Sequence, residues 1–73
     1  MPTYTVVVDK LSKRRIIPSK LPDDNNVVGV VNKGCVISAE EVPAKKVPNA
    51  SLGKWYKDSD GYYYWGGGLI KNK

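Results

Sequence analysis

Tryptophan and tyrosine side chains crowd one short segment near the C-terminal end of the sequence. The chain of 73 residues has two Trp, five Tyr and no Phe, and six of these seven rings lie between positions 55 and 65. Such rings stack on sugars and peptide backbones, and their polar N–H and O–H groups suit surfaces that are partly wet. Phe would serve as well as Tyr if burial were the only need. The segment therefore predicts a ligand-binding surface formed by Trp55, Tyr56, Tyr62, Tyr63, Tyr64 and Trp65.

A second group of side chains could bind anions. Twelve Lys and Arg residues against seven Asp and Glu residues give a net charge of +5. The run Lys13-Arg14-Arg15, together with Lys10 and Lys20, concentrates part of this charge in one stretch. Such a run is either a solvated loop or a contact for an anionic polymer. Arg14 and Arg15 are the candidate ligand contacts within it.

The residues that many catalytic and metal sites need are missing. The sequence has no His and one Cys, which excludes histidine catalysis, histidine-containing zinc sites and a disulfide within the chain. The segment 58–61, Asp-Ser-Asp-Gly, begins like a calcium loop, but the later oxygen ligands do not follow, so a plain turn is expected. Cys35 has no histidine to act as its base and is expected to be a small buried thiol. No catalytic residue, metal site or cofactor is predicted, and an enzyme is not expected.

The order of apolar and turn-forming residues predicts an all-β fold. Val, Ile, Tyr, Trp and Thr favour strands, and they occur here in short runs separated by Gly, Pro, Asn and Asp. Five strands are predicted, at 4–8, 27–31, 35–42, 54–57 and 62–65, and a short closing strand could follow at 69–70. The stretch 9–26 is expected to be a long irregular loop. Five short strands in one small domain suit a strongly bent barrel, because closure removes the exposed edges of a sheet.

The register of the hairpin at 54–65 decides which rings lie side by side. Side chains alternate between the two faces of a strand, and a two-residue or a four-residue turn gives the same faces. One face is then expected to carry Trp55, Lys57, Tyr62 and Tyr64, and the other Tyr56, Asp58, Tyr63 and Trp65. A three-residue turn would exchange partners between the faces. Because a small barrel has one inside, part of the cluster should lie exposed; the alternative is that the tyrosines pair across strands and cover the barrel ends.

Three consecutive glycines, Gly66, Gly67 and Gly68, follow the hairpin. Glycine costs backbone entropy on folding, so such a run needs a reason. A tight corner of the barrel is one reason, and the close approach of a partner's backbone is the other.

The order of these motifs resembles that of bacterial SH3 (Src-homology-3-like) domains. That family usually has a Leu-x-Val-Arg-x-Gly-Pro-Ser loop, a Val-(Val/Ile)-Gly-x-Leu-x-x-Gly strand and turn, and a Trp-x-Lys hairpin that ends in Gly-Trp. The corresponding segments are LSKRRIIPS at 11–19, VVGVVNKG at 27–34 and WYKDSDGYYYWGGGL at 55–69. The loop departs from the family pattern, with a Lys in place of the Val, an Ile in place of the Gly and one residue inserted. The resemblance covers residues 4–70 in outline, and the aromatic ending is similar to that of domains attached to bacterial envelope hydrolases and peptidases.

The resemblance implies a small, five-stranded, partly open SH3-like β-barrel with a long first loop, forming one domain over residues 1–73 with its core at about 4–70. Domains of this family usually tether a catalytic domain to peptidoglycan or another wall polymer, or pack against the catalytic domain. The expected function is therefore non-catalytic binding of a cell-wall polymer or peptide, or contact with an adjacent catalytic domain, within a larger envelope protein.

Two other functions fit the composition. Single-stranded nucleic acid is the second choice, because small β-barrels bind it through aromatic side chains beside basic grooves. A reader of proline-rich peptides also has an aromatic groove, but it commonly uses acidic loop residues, whereas the long loop here is basic at its start. No apolar run is long enough to span a membrane. The protein is expected in the cell envelope or secreted if it is part of a larger chain, and in the cytoplasm if the chain is complete.

Overall fold

The structure, a computed structural model, describes residues 2–21 and 25–72, and all regular structure within them is β-strand or 3₁₀-helix. Seven strands occur in these residues: β1 (Thr3–Val6), β2 (Lys10–Arg14), β3 (Val27–Asn32), β4 (Val36–Glu41), β5 (Trp55–Asp58), β6 (Tyr63–Trp65) and β7 (Leu69–Lys71). Single 3₁₀ turns lie at Ala44–Lys46, Ala50–Leu52 and Gly66–Gly68. The predicted all-β class is confirmed.

The strands form one antiparallel sheet in the order β3-β2-β6-β5-β4-β1-β7. β4 joins the two halves of the sheet, because its residues 36–38 pair with β1 and its residues 39–41 pair with β5. β3 and β7 remain at opposite ends of the strand order. The predicted five-stranded barrel is therefore wrong in two respects, since the sheet has seven strands and is not a closed barrel.

One of the additional strands lies in the stretch that was expected to be an irregular loop. β2 pairs with β3 from Lys10↔Asn32 to Arg14↔Val27, and a bulge shifts the register between Lys13 and Arg14. The sequence KLSKR has a single apolar residue, so its composition gives little sign of a strand. Pairing with β3 on one side and β6 on the other stabilises it instead.

The core is small and uses two rings of the hairpin. Val6, Leu11 and Tyr64 form a cluster in which the exposed fractions are 1%, 4% and 3%. Half-buried residues that pack against this cluster are Val8, Val31, Ile37, Tyr62, Trp65 and Leu69. Trp55, at 0% exposure, is the largest fully buried side chain among the described residues. The folded sheet therefore hides Trp55 and Tyr64 and leaves the other four rings of the hairpin closer to solvent.

The glycine run forms the tight corner between β6 and β7. A Cβ atom on Gly66 would lie 2.6 Å from the carbonyl oxygen of Lys54, and one on Gly68 would lie 2.8 Å from Leu11 Cδ1. A Cβ atom on Gly67 would lie 2.5 Å from the ring of Trp65. Gly66 requires glycine for space, because a backbone carbonyl occupies the room that a side chain would need, whereas at Gly67 and Gly68 the side chains of Trp65 and Leu11 would have to shift. Of the two interpretations of the run, the corner is confirmed.

Cys35 lies just before β4 and is exposed, so the expectation of a buried thiol is wrong. The residue belongs to the turn between β3 and β4, where its N–H donates to Asn32 O at 3.1 Å and its carbonyl accepts from Val6 N at 2.9 Å. The backbone is therefore fixed while the side chain points away from the core. No helix within the described residues is long and apolar enough to cross a membrane.

Candidate ligand-binding surface

The β5–β6 hairpin has a three-residue turn, which changes the pairing of its rings. Trp55 lies opposite Trp65, and Lys57 lies opposite Tyr63. The N–H of Asp58 donates to Tyr62 O at 2.9 Å, which leaves residues 59–61 as the turn, with Gly61 at a φ of 89°. A three-residue hairpin loop that ends in a left-handed glycine is a common type. The predicted faces are therefore wrong. One face carries Trp55, Lys57, Tyr63 and Trp65, and the other carries Tyr56, Asp58, Tyr62 and Tyr64.

The carboxylate of Asp58 holds this turn in place. Its Oδ1 atom accepts from the N–H groups of Asp60 at 3.0 Å and Tyr62 at 2.9 Å, and its Oδ2 atom accepts from the hydroxyl of Tyr64 at 2.8 Å. Burial tends to raise the pKa of Asp58, but the three hydrogen bonds and the Lys13 ammonium outweigh it, and the pKa is lowered. Burial in the first place, and then the bond to Asp58, raises the pKa of Tyr64. The segment is thus a turn with a structural carboxylate. Within 2–21 and 25–72 no group of three or more His, Cys, Asp or Glu side chains is placed to hold a metal ion.

Three of the eight predicted ligand contacts are buried in the fold. The exposed fractions are 0% for Trp55, 3% for Tyr64 and 6% for Arg14. Trp55 and Tyr64 lie on opposite faces of the hairpin, so the rest of the chain covers part of each face. Arg14 ends β2, the strand between β3 and β6, and its side chain is buried there. These three side chains present too little surface to a ligand, and they are excluded from the candidate site.

Two further rings are half-buried and held by partners inside the protein. The rings of Tyr56 and Tyr4 are tilted by 46° with their centroids 4.5 Å apart. The indole N–H of Trp65 donates to the carbonyl oxygen of Leu52 at 2.7 Å. These contacts connect the hairpin to β1 and to the segment 50–52, so Tyr56 and Trp65 have a structural role in the described chain.

Each of the two remaining rings has a lysine over its face. The ammonium of Lys13 is 4.4 Å from the centroid of Tyr62, and that of Lys57 is 5.7 Å from the centroid of Tyr63. Both distances are within the range of a cation–π contact. Tyr62 and Tyr63 are half-buried and follow each other in the chain, so they point to opposite faces of the hairpin. The hairpin therefore combines a ring and a positive charge on each side.

Tyr63 lies where two open cavities meet. The first has a volume of about 130 Å³, and its lining includes Glu40, Pro43, Lys46 and Lys57. The second has a volume of about 160 Å³, and its lining includes Arg15, Ile16, Ile17, Lys46, Pro48 and Tyr63. Tyr63 and Lys46 line both cavities. We call the two cavities together the Tyr63 groove.

Only two of the predicted contacts, Tyr63 and Arg15, meet in this groove. Arg14 and Trp65 line a different cavity, of about 170 Å³, with Lys10 and Leu21. Sequence reasoning missed Lys46, which reaches the groove from the 3₁₀ turn at Ala44–Lys46. The signal for it was the pair Lys45-Lys46 beside prolines in the loop 43–53. That pattern indicates an exposed basic loop but does not say which strand the loop covers.

No protein-family model, curated protein or solved structure matches this chain. The function is therefore inferred from the geometry of the Tyr63 groove, together with the resemblance of the motifs.

Proposed function

We propose that the protein is a non-catalytic binding module for a polymer or peptide of the bacterial cell wall, and that the Tyr63 groove is its binding surface. One observation carries the proposal. Tyr63 is half-buried at the junction of two open cavities whose linings also contain Arg15, Lys46 and Lys57. An aromatic ring of this kind stacks on a sugar or a peptide backbone, and the cations beside it attract carboxylates or phosphates.

The arrangement of strands supports the SH3-like part of this proposal. The first and last strands, β1 and β7, pair with each other, with Thr5 opposite Ile70. A long hairpin, β2–β3, follows the first strand, and the aromatic hairpin and a 3₁₀ turn precede the last one. We keep the SH3-like classification as a proposal, because the motif resemblance and this order of elements agree. A wall polymer is the preferred ligand on the basis of the same resemblance.

Removing the ring of Tyr63 tests the proposal. We expect the protein to sediment with purified peptidoglycan in roughly 0.3 M salt, where the Debye length is about 5–6 Å and exposed charges are largely screened. Stacking on an aromatic side chain is worth about 1–3 kcal/mol in other stacking surfaces, so Tyr63→Ala should weaken binding by about 5- to 150-fold. Tyr63→Phe keeps the ring and should bind within about threefold of the wild type.

Thermal unfolding of each variant serves as the control for folding. If folded Tyr63→Ala sediments as well as the wild type, the Tyr63 groove is not the wall-binding surface. If the wild type itself does not sediment with peptidoglycan, the wall is not the target.

Single-stranded nucleic acid is the second candidate, and the lysines over Tyr62 and Tyr63 favour it. A ring with a cation beside it is the pair that such ligands use. Binding through phosphates releases counterions, so the affinity for oligo-dT should fall steeply between low and moderate salt. Binding of oligo-dT at low salt without any binding of peptidoglycan would replace the wall proposal with this one.

A further inference from the structure

We infer that the Tyr63 groove binds a short extended peptide with a free carboxylate at one end and a free ammonium group at the other. The carboxylate lies against Arg15 and Lys46, the backbone crosses the ring of Tyr63, and the ammonium group lies beside Glu40. This inference rests on the proposed function and specifies the chemistry of its ligand.

One end of the groove is basic and apolar. Arg15 and Lys46 line this cavity, and none of the described residues that line it is acidic. Arg15 is exposed, and a guanidinium binds a carboxylate through two parallel hydrogen bonds. Ile16, which is 52% exposed, lines the same cavity. If the last residue of the peptide has an apolar side chain, that side chain would cover Ile16 while the terminal carboxylate meets Arg15. A small inorganic anion would leave Ile16 exposed, so this end of the groove favours a peptide carboxylate.

The other end of the groove contains both signs of charge. Its lining includes Glu40 and Glu41 as well as Lys46 and Lys57. Glu41 has a partner in Lys54, at 3.5 Å. Glu40 is exposed and forms no ion pair with any residue of the described chain. Its carboxylate is therefore available to an ammonium group of the ligand. Lys46 and Lys57 lie in the same cavity, and their positive charges weaken the attraction of this end for cations in general.

The sheet register gives the length of the ligand. Glu40 lies opposite Lys57, Lys57 opposite Tyr63 and Tyr63 opposite Arg14, in successive strands. Adjacent strands are about 4.8 Å apart, so Glu40 and Arg14 are separated by about 14 Å across the sheet, and Arg15 is the next residue. An extended peptide advances about 3.4 Å per residue. A ligand of about four residues therefore spans the distance from the acidic to the basic end.

The charges at the two ends of the groove also disfavour other classes of ligand. A uniformly anionic chain, such as a nucleic acid, would place negative charge beside Glu40 and Glu41. A neutral glycan would leave Arg15 and Lys46 without a charged partner. A peptide with both terminal charges satisfies each end, and its backbone can stack on Tyr63.

Tetra-alanine is the probe, used with both ends free, with the amino group acetylated, with the carboxylate amidated, and with both ends blocked. Binding is followed by NMR titration of the full chain at low salt. We expect the free peptide to bind with a Kd in the millimolar range, and each single block to weaken binding at least about fivefold. Arg15→Gln should reduce the effect of amidation, with Lys46 still beside the carboxylate, and keep that of acetylation. Glu40→Gln should do the reverse.

Matched controls change charges outside the groove. Lys33→Gln and Asp9→Asn remove one positive and one negative charge from exposed residues that do not line it, and both should retain the two blocking effects. The inference is overturned if the free peptide does not bind at about 10 mM, if blocked peptides bind as well as the free one, or if Arg15→Gln and Glu40→Gln leave the blocking effects unchanged. Peptidoglycan binding that depends on Tyr63 would then still stand. Conversely, peptide binding with the expected pattern but no sedimentation with peptidoglycan would remove the wall target and keep the peptide site.

Discussion

Gly66→Ala is expected to lower the free energy of unfolding by about 1–3 kcal/mol or more, a large share of what a domain of this size has. The new methyl group would lie 2.6 Å from the carbonyl oxygen of Lys54 and 2.8 Å from the ring of Tyr56. The carbonyl cannot move away without loss, because it accepts the N–H of Gly66 at 2.8 Å. Overpacking costs about 1–3 kcal/mol and sometimes more. A domain of this size rarely has more than about 3–5 kcal/mol of stability to lose.

Urea unfolding followed by tryptophan fluorescence measures this loss. Gly29→Ala is the matched control, because a Cβ atom at Gly29 meets nothing within 4 Å and Gly29 is not among the positive-φ glycines. Its free energy of unfolding should stay within about 0.5 kcal/mol of the wild type or rise slightly, since alanine lowers the entropy of the unfolded chain. Equal unfolding midpoints for the two alanine variants would show that the corner at 66–68 is not tightly packed.

The sequence predicted the strands whose composition favours β-structure, and it did not predict β2, whose composition does not. Runs such as 27–31 and 62–65 are rich in Val, Tyr and Trp, and the structure has strands there. β2 has the sequence KLSKR, and only its pairing with β3 and β6 makes it a strand. Propensity is local, whereas strand pairing depends on partners far along the chain. Adding β2 and the closing strand, β7, to the five predicted strands gives the seven strands of the sheet.

The hairpin register shows how one local contact can reverse a prediction about a site. A turn of two or four residues places Tyr62 on the face of Trp55, whereas a turn of three residues places Tyr63 there. The side chain of Asp58 accepts from two N–H groups of the turn, and this favours the three-residue form. Because side chains alternate along a strand, a change of one residue in the turn exchanges the partners across the hairpin.

The sequence located the candidate site in the aromatic hairpin, but it could not show which of the side chains there are buried and which are open to a ligand. Trp55 and Tyr63 lie on the same face of the hairpin, yet Trp55 is completely buried while Tyr63 lines two open cavities. The loop 43–53 brings Lys46 and Pro48 to Tyr63, where they line one of these cavities. Ring types and their spacing carry no information about where such a loop will pack. Arg14 and Arg15 differ as well, since Arg14 at the end of β2 is buried and Arg15 directly after it is exposed.

Asp58→Ala is expected to be the other large loss of stability. The carboxylate accepts from the N–H groups of Asp60 and Tyr62 and from the hydroxyl of Tyr64, whose side chain is 3% exposed. Hydrogen bonds to charged groups contribute about 1.5–3 kcal/mol each, and a buried hydroxyl without a partner costs about 1–3 kcal/mol. Allowing for water at the partly open turn, we expect a loss of about 3 kcal/mol in urea unfolding. Asp58→Asn can keep the acceptor for the turn and should lose about half as much.

The same carboxylate should make the protein sensitive to acid. The pKa of Asp58 is lower in the folded protein than the unfolded value of about 3.9. Its contribution to stability is therefore complete above about pH 5 and is lost as the pH falls through the folded pKa, because protonation then favours the unfolded chain. Urea midpoints measured between pH 6 and pH 2.5 should fall more steeply for the wild type than for Asp58→Asn. Asp60→Asn is the control, because it changes an exposed carboxylate of the same turn, and its urea midpoint should fall with pH as steeply as that of the wild type. Parallel curves for the wild type and Asp58→Asn would contradict the role assigned to Asp58.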